Sequence, residues 1–112
     1  MIDRTGVEQI LAQYAKHGWK LQRVLLSPVF PEAEFAGVFD GVEITSSDLD
    51  GLWFARVSRQ GITAWELRHL SATPYALVEN IPDGTDPADA EHTLRQAEMK
   101  MIAVFKDRRI GH

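Results

Sequence analysis

Side chains able to hold an anionic ligand cluster near the middle of this 112-residue chain. Arg56 and Arg68 carry guanidinium groups, which bind carboxylates and phosphates through paired hydrogen bonds. His69 follows Arg68 directly and lies near Glu66 in the sequence, while Phe54 offers an apolar ring for the rest of a ligand. Catalysis by His69 would also need a positioned partner and a cleft, neither of which the sequence shows. The predicted ligand-binding residues are therefore Arg56, Arg68, His69 and Phe54.

Histidine and carboxylate spacings do not match those of known metal sites. No two histidines have the His-x-x-x-His spacing of zinc proteins; they are His17, His69, His92 and His112. Ser46, Asp48 and Asp50 before Gly51 resemble the front of a calcium loop, but the twelfth position from Ser46 is Val57 instead of the required glutamate. We therefore predict no metal and no other cofactor.

Sequence motifs of the common enzyme classes are also missing. The chain has no phosphate loop, no dinucleotide fingerprint and no Gly-x-Ser-x-Gly elbow. It has no cysteine that could act as a nucleophile or form a disulfide. Whether the protein is an enzyme stays open, and these features favour a non-enzymatic role.

The elements that position these residues are organised around a predicted hairpin at 52–68. Its aromatic and β-branched residues are interrupted once, at residues 59–61, and glycine at the third loop position suits a type I turn followed by one left-handed residue. This register pairs Ser58 with Ile62 and defines two faces: Trp53, Ala55, Val57, Thr63, Trp65 and Leu67 on one, and Leu52, Phe54, Arg56, Ala64, Glu66 and Arg68 on the other. A two-residue loop at Gln60-Gly61 would swap the faces of the second strand.

Periodicity and capping residues predict the remaining elements. Residues 5–8, Thr-Gly-Val-Glu, match a capping box, so the first helix should start there. Asp86 and Pro87 supply a cap and a first-turn proline for the last helix. The connection 27–50 has no period but several phenylalanines, so we expect it to lie against the sheet as a cover segment. The predicted order is helix 6–17, strand 19–26, cover segment 27–50, hairpin 52–68, strand 75–81 and helix 87–107.

This order predicts a single α+β domain. We expect a two-layer sandwich in which a mostly antiparallel sheet of about four strands carries the N- and C-terminal helices on one face. The second face of the sheet is also too apolar to leave bare, because it includes Leu52, Phe54, Val24 and Val78. Either the cover segment or another subunit should cover that face.

Composition limits the classes of partner. With 12 Lys and Arg against 16 Asp and Glu, a net charge of -4 and a pI of about 5.5, we expect no binding to nucleic acid or to anionic membranes. Arg23, Arg56, Arg59 and Arg68 could gather into a patch for single strands, but Glu66 among them favours ion pairing instead. No apolar run is long enough to cross a membrane, and the lack of cysteine makes the cytoplasm the expected location.

Two functions are consistent with these features. The first is a non-enzymatic protein-interaction or regulatory module that forms a homodimer through the apolar second face or a sheet edge, with Leu52, Phe54, Val24 and Val78 at the interface. The alternative is a small-ligand-binding protein or small enzyme with its pocket between segment 27–50 and the sheet. In that case Arg56 and Arg68 would hold an anionic group of the ligand.

Overall fold

The computed structural model describes residues 2–110, with side chains described as far as Phe105. The fold is α+β, with one helix at each end of the chain and a sheet between them. The sheet has five strands rather than about four, because the cover segment contributes a short one. The elements are α1 (Arg4–Lys16), β1 (Lys20–Leu26), one 3-10 turn (Glu32–Phe35), β2 (Glu43–Ser46), β3 (Gly51–Arg59), β4 (Ile62–His69), β5 (Ala76–Pro82) and α2 (Pro87–Ile110).

The five strands lie in the order β2-β1-β3-β4-β5, and the sheet is mostly antiparallel. β2 pairs with β1 in parallel, whereas each of the other neighbouring pairs is antiparallel. β3 therefore lies at the centre of the sheet, between β1 and its hairpin partner β4. β2 and β5 form the two edges.

The first helix starts at a different cap from the one predicted. Asp3 is the N-cap residue, and its carboxylate accepts a hydrogen bond from the backbone N–H of Gly6 at 2.8 Å. Thr5 lies inside the helix, so the predicted capping box does not form. An aspartate stabilises a helix N-terminus at least as well as a threonine, and with Asp3 as the N-cap the helix begins two residues earlier.

The hairpin has the predicted register along most of its length. Val57 lies opposite Thr63 and Trp53 opposite Leu67, so the two predicted faces are confirmed. The pairing shifts near the turn, where Arg59 lies opposite Ile62 and Ser58 bulges out. Gly61 has a φ of 79°, as a left-handed turn position requires.

One sheet face is covered by α1 and the cover segment together. We call it the Phe54 face; its strand residues include Leu52, Phe54, Val24, Glu66 and Arg68. Phenylalanines of the cover segment pack on it and are buried, and they are Phe30, Phe35 and Phe39. The two ends of the segment are held together by the Asp50 carboxylate, which accepts hydrogen bonds from the backbone N–H of Ser27 at 2.6 Å and from its hydroxyl at 3.2 Å.

The opposite face, which we call the Trp53 face, is covered by α2. Trp53 and Leu67 are fully buried there against Leu94 and Met101 of the helix. The expectation that both helices share one face is therefore wrong, and the fold has three layers rather than two. The reason is that strands such as β3 carry large apolar residues at consecutive positions, so each face needs its own helix.

Among the described residues, no helix is both long enough and apolar enough to cross a membrane.

Candidate functional site

An open cleft of about 630 Å³ lies along α1 on the Phe54 face. One wall is the helix, the floor includes Arg68 of β4, and the loop of residues 71–74 closes the far side. The lining residues are Ile2, Asp3, Gly6, Gln9, Ile10, Gln13, Tyr14, Arg68, Ser71, Ala72 and Pro74. We call it the Arg68 cleft.

Arg68 is the main charged group of this cleft, although its side chain belongs to the interior. The residue is only 8% exposed, and its guanidinium donates to two backbone carbonyls, those of His69 and Ser71. No carboxylate of the described residues forms an ion pair with it. A buried cation held by carbonyl dipoles alone keeps a strong attraction for an incoming anion, because little water screens it.

Beside Arg68, the Tyr14 phenol donates a hydrogen bond to the carboxylate of Glu66. The Tyr14 ring also stacks on Phe54, with 4.0 Å between ring centroids. Burial raises the pKa of the Tyr14 phenol well above its ordinary value, and the hydrogen bond to Glu66 raises that pKa further. Tyr14 therefore stays protonated at neutral pH, so it can donate a hydrogen bond but cannot serve as a base.

A second, smaller cleft of about 290 Å³ adjoins the first at Gln13 and Tyr14. Arg56 lies here, with its guanidinium 4.6 Å from the centre of the Trp19 ring and donating to the carbonyl of His17 at 2.8 Å. Arg56 and Arg68 are thus on the same face but in neighbouring clefts. Glu66 lines the smaller cleft, where its negative charge opposes that of an anionic ligand.

The other two predicted ligand-binding residues are not in the Arg68 cleft. His69 points to the Trp53 face, where its ring stacks on Phe105 with 3.7 Å between centroids. Neighbouring residues of a strand point to opposite faces, which is why His69 does not join Arg68. Phe54 is on the correct face but lies beneath Tyr14 and is only 1% exposed, so it supports the site without lining it.

The Arg68 cleft is not between segment 27–50 and the sheet, where the sequence analysis placed a pocket. Phe30, Phe35 and Phe39 are buried between the cover segment and the Phe54 face, and a smaller pocket of about 250 Å³ lies where the segment meets the sheet, lined by Leu26, Phe30 and Ile44 among others. The Arg68 cleft lies instead on the other flank of α1. The predicted interface residues Leu52, Phe54 and Val24 are interior for the same reason, whereas Val78 is 53% exposed on β5.

The arginines considered for nucleic acid do not form one patch. Arg23 lies opposite Trp53 in the sheet and is paired with Glu91 of α2 at 2.8 Å and with Glu43 at 3.3 Å. Its hydrogen bond to Glu91 raises the pKa of Arg23 and lowers the pKa of Glu91. Arg59 is exposed at the hairpin tip.

Among the residues whose side chains the structure describes, 2–105, no group of three or more possible metal ligands comes together. Asp50, which the sequence offered as part of a loop resembling a calcium site, is engaged with Ser27 instead. His17 and His92 each lie within hydrogen-bonding distance of a glutamine on their own helix turn, at 3.1 Å. His112 lies outside the described residues.

Sequence reasoning missed two parts of the structure that bear on the site. The loop of residues 71–74 is one of them, because nothing in its composition indicates that it faces α1. Glu98 was not singled out either, although it falls four residues after Leu94 on the apolar stripe of α2. It is 5% exposed and accepts a hydrogen bond from the Trp53 indole at 2.8 Å.

The chain matches no protein-family model, no curated protein and no solved structure. The geometry of the clefts therefore carries the functional argument.

Proposed function

We propose that this protein binds a small carboxylate- or phosphate-bearing molecule in the Arg68 cleft, without transforming it. The observation that carries the proposal is Arg68, a buried cation that lines an open cleft and has no carboxylate partner among the described residues. A planar guanidinium carries several N–H donors in a fixed fork. The three contacts with carbonyl oxygens involve only Nη1 and Nη2, which leaves donor capacity for a ligand.

The remaining lining residues suit a ligand with one charged end and a less polar body. Ile2, Ile10 and Pro74 provide apolar surface, while the amides of Gln9 and Gln13 supply donors and acceptors. The cleft volume falls within the range of small-molecule sites, roughly 300 to 1,000 Å³. Asp3 also lines the cleft, but its carboxylate is occupied at the start of α1 by the N–H of Gly6.

A binding role fits the chemistry of the cleft better than catalysis does. Tyr14 is held protonated, and its partner Glu66 is engaged as an acceptor. A general base needs a free basic group within reach of a substrate proton. The Arg68 cleft offers hydrogen-bond donors and a positive charge instead, which are the features of a site that holds an anion.

The proposal can be tested by calorimetric titration of the protein with acetate, succinate and inorganic phosphate. At least one anion should bind, and uncharged acetamide should not. Arg68→Lys should weaken binding about tenfold or more, because lysine keeps the charge but loses the guanidinium fork. Arg68→Met should remove binding, and Arg59→Met at the exposed hairpin tip should leave it unchanged.

Thermal unfolding of each variant would show whether it is folded, since Arg68 is buried. Binding of every anion at equal strength by wild type, Arg68→Lys and Arg68→Met would contradict the proposal. A folded wild-type protein that binds none of the three probes would contradict it as well.

We further propose that the protein acts in the cytoplasm. Its chain contains no cysteine and so does not depend on disulfides, which are not stable under the reducing conditions there. Its acidic net charge of -4 also supports a role without nucleic acid.

A further inference from the structure

The outer edge of β5 is the longest open strand edge in the described part of the chain. β5 pairs with β4 on one side, and no other described strand lies along its second side. Its solvent-facing residues on the Phe54 side are exposed, and they are Ala76, Val78 and Asn80. The edge contains no lysine and one glutamate, so it has few of the charges that usually protect an edge from pairing.

The hydrogen-bonding pattern shows which backbone groups face outward. The N–H of His69 donates to the carbonyl of Tyr75 at 2.9 Å, and the N–H of Asp83 donates to the carbonyl of Gly61 at 2.8 Å. Both pairs continue the β4–β5 register. In an antiparallel ladder bonded pairs alternate with unbonded ones, so the odd-numbered residues of β5 bond to β4. The N–H and C=O groups of Ala76, Val78 and Asn80 therefore point away from the sheet.

Prolines mark both ends of this edge. Pro82 is the next residue after Asn80 whose backbone groups point away from β4. Its missing N–H therefore removes no hydrogen bond to β4. Pro74 stands two residues before Ala76. Neither proline can donate to another strand. The part of the edge that can accept a full partner strand is thus residues 76–80.

We propose that a second copy of this chain pairs with residues 76–80, antiparallel, about a two-fold axis at Val78. In this register Val78 lies opposite its counterpart, Ala76 lies opposite Asn80 of the second copy, and Leu77 lies opposite Glu79. All outward groups of both strands are then used, in about six backbone hydrogen bonds. A two-fold contact of this kind closes on itself, so it gives a dimer rather than a fibre.

The neighbouring registers are less favourable. A slip of the partner strand by two residues in one direction places Glu79 opposite Glu79 of the other copy and Ala76 opposite Pro82. A slip in the other direction places Asn80 opposite Pro74. Like charges directly opposite each other destabilise a strand pair, and each proline removes a donor. The register centred on Val78 is therefore preferred, and β5 of a second copy is the strand that pairs in it.

The joined sheet would have ten strands, five from each copy. Residues directly opposite each other point to the same face, so the Phe54 faces of both copies would lie on the same side. The two Arg68 clefts would then open in the same direction. In this register Pro74, which lines the cleft, lies opposite Pro82 of the second copy, so the dimer contact ends beside the Arg68 cleft.

The test combines molecular mass with amide hydrogen exchange. Light scattering over a range of concentrations should give a dimer mass for the wild type. In that dimer the N–H groups of Ala76, Val78 and Asn80 should exchange slowly. Val78→Pro removes an outward N–H but no bond to β4, so it should raise the dimer dissociation constant at least about tenfold while the fold is kept. Val78→Thr, which keeps the N–H and the β-branched shape, should still dimerise.

Three results would overturn the proposal. The first is a wild-type chain that stays monomeric up to about 1 mM. At that concentration light scattering would detect any dimer whose free energy of association is more favourable than about -4 kcal/mol. The second is a dimer in which the amides of Ala76, Val78 and Asn80 exchange as fast as exposed ones, since the contact would then lie elsewhere. The third is slow exchange at these positions only after an extended peptide is added, which would assign the edge to a different chain.

Discussion

At the scale of single residues, each helix is joined to the sheet by a hydrogen bond from an aromatic donor to a carboxylate. On the Phe54 face, Tyr14 of α1 donates to Glu66 of β4. On the Trp53 face, the indole of Trp53 in β3 donates to Glu98 of α2 at 2.8 Å. Each pair satisfies a polar group that packing would otherwise leave without water, and each fixes how its helix sits on the strands.

Replacing Tyr14 with phenylalanine should alter how stability depends on alkaline pH. The pKa of the Tyr14 phenol is raised in the folded state above its ordinary value of 10.0. The phenol's contribution to the free energy of unfolding is therefore present below that pH, and it is lost as the pH rises towards the folded pKa. The wild type should therefore lose free energy of unfolding between about pH 9 and about pH 12, and Tyr14→Phe should lose less. Urea unfolding across this range measures the difference, with Tyr75→Phe as the control. Equal slopes in the wild type and Tyr14→Phe would contradict the assignment.

Removing the buried carboxylate of Glu98 should be far more damaging than removing an exposed one. Glu98→Ala leaves the indole N–H of the fully buried Trp53 without its acceptor and opens a cavity, so it should cost about 2 to 4 kcal/mol. Glu98→Gln keeps an acceptor and should cost less. Glu91→Ala removes an exposed carboxylate from the same helix and should cost about 1 kcal/mol or less. Urea unfolding followed by tryptophan fluorescence would rank the three; equal losses for Glu98→Ala and Glu91→Ala would disagree with this account.

Sequence identified some of these residues and missed the roles of others. Arg68 was predicted from its residue type, and the hairpin register placed it correctly on the face of Phe54 and Glu66. The pairing of Tyr14 with Glu66 spans 52 positions of the chain and depends on where α1 crosses the sheet. Helical and strand periods give the face of each element, but they do not give which element lies above which. For this reason sequence could not separate the clefts of Arg56 and Arg68.

At the scale of elements, local patterns predicted what forms and were less informative about where each element begins. Helix α1 starts at Asp3 rather than at the predicted threonine, because several capping residues compete within a few positions. Inside the cover segment, the structure has a 3-10 turn at Glu32–Phe35 and the short strand β2. Strand pairing was not predictable from the sequence: β2 lies at one edge of the sheet, where it pairs with β1 in parallel.

The choice of N-cap gives a direct test at this scale. Asp3→Ala removes the acceptor for the N–H of Gly6 and should lower the free energy of unfolding by about 1 kcal/mol. Thr5→Ala alters the residue that the sequence favoured as the cap, yet it should change stability by less than about 0.5 kcal/mol, because Thr5 is an exposed residue inside the helix. Thermal or urea unfolding compares the two. A larger loss for Thr5→Ala would favour the capping box instead.

At the scale of the whole molecule, apolar residues on both sides of the strands dictate three layers. The sequence indicated that a single layer of helices would leave one face bare, and a second subunit was one way to cover it. The chain covers that face itself, with α1 and the phenylalanines of segment 27–50. Besides the smaller cleft of Arg56, the open surfaces described on this side include the flank of α1 above Arg68 and the exposed residues of β5. These two surfaces carry the proposed ligand site and the proposed dimer contact.

The proposed contact between the guanidinium of Arg68 and an anion can be followed directly through the Nε–Hε signal of this side chain in nuclear magnetic resonance spectra. On titration with succinate or inorganic phosphate, we predict that the Arg68 signal shifts and saturates, together with amide signals of α1 and of residues 71–74. The corresponding signals of Arg56 and Arg59 should move little. An Arg68 signal that stays fixed while the anion is in excess, or shifts confined to Arg56 and Arg59, would contradict the account.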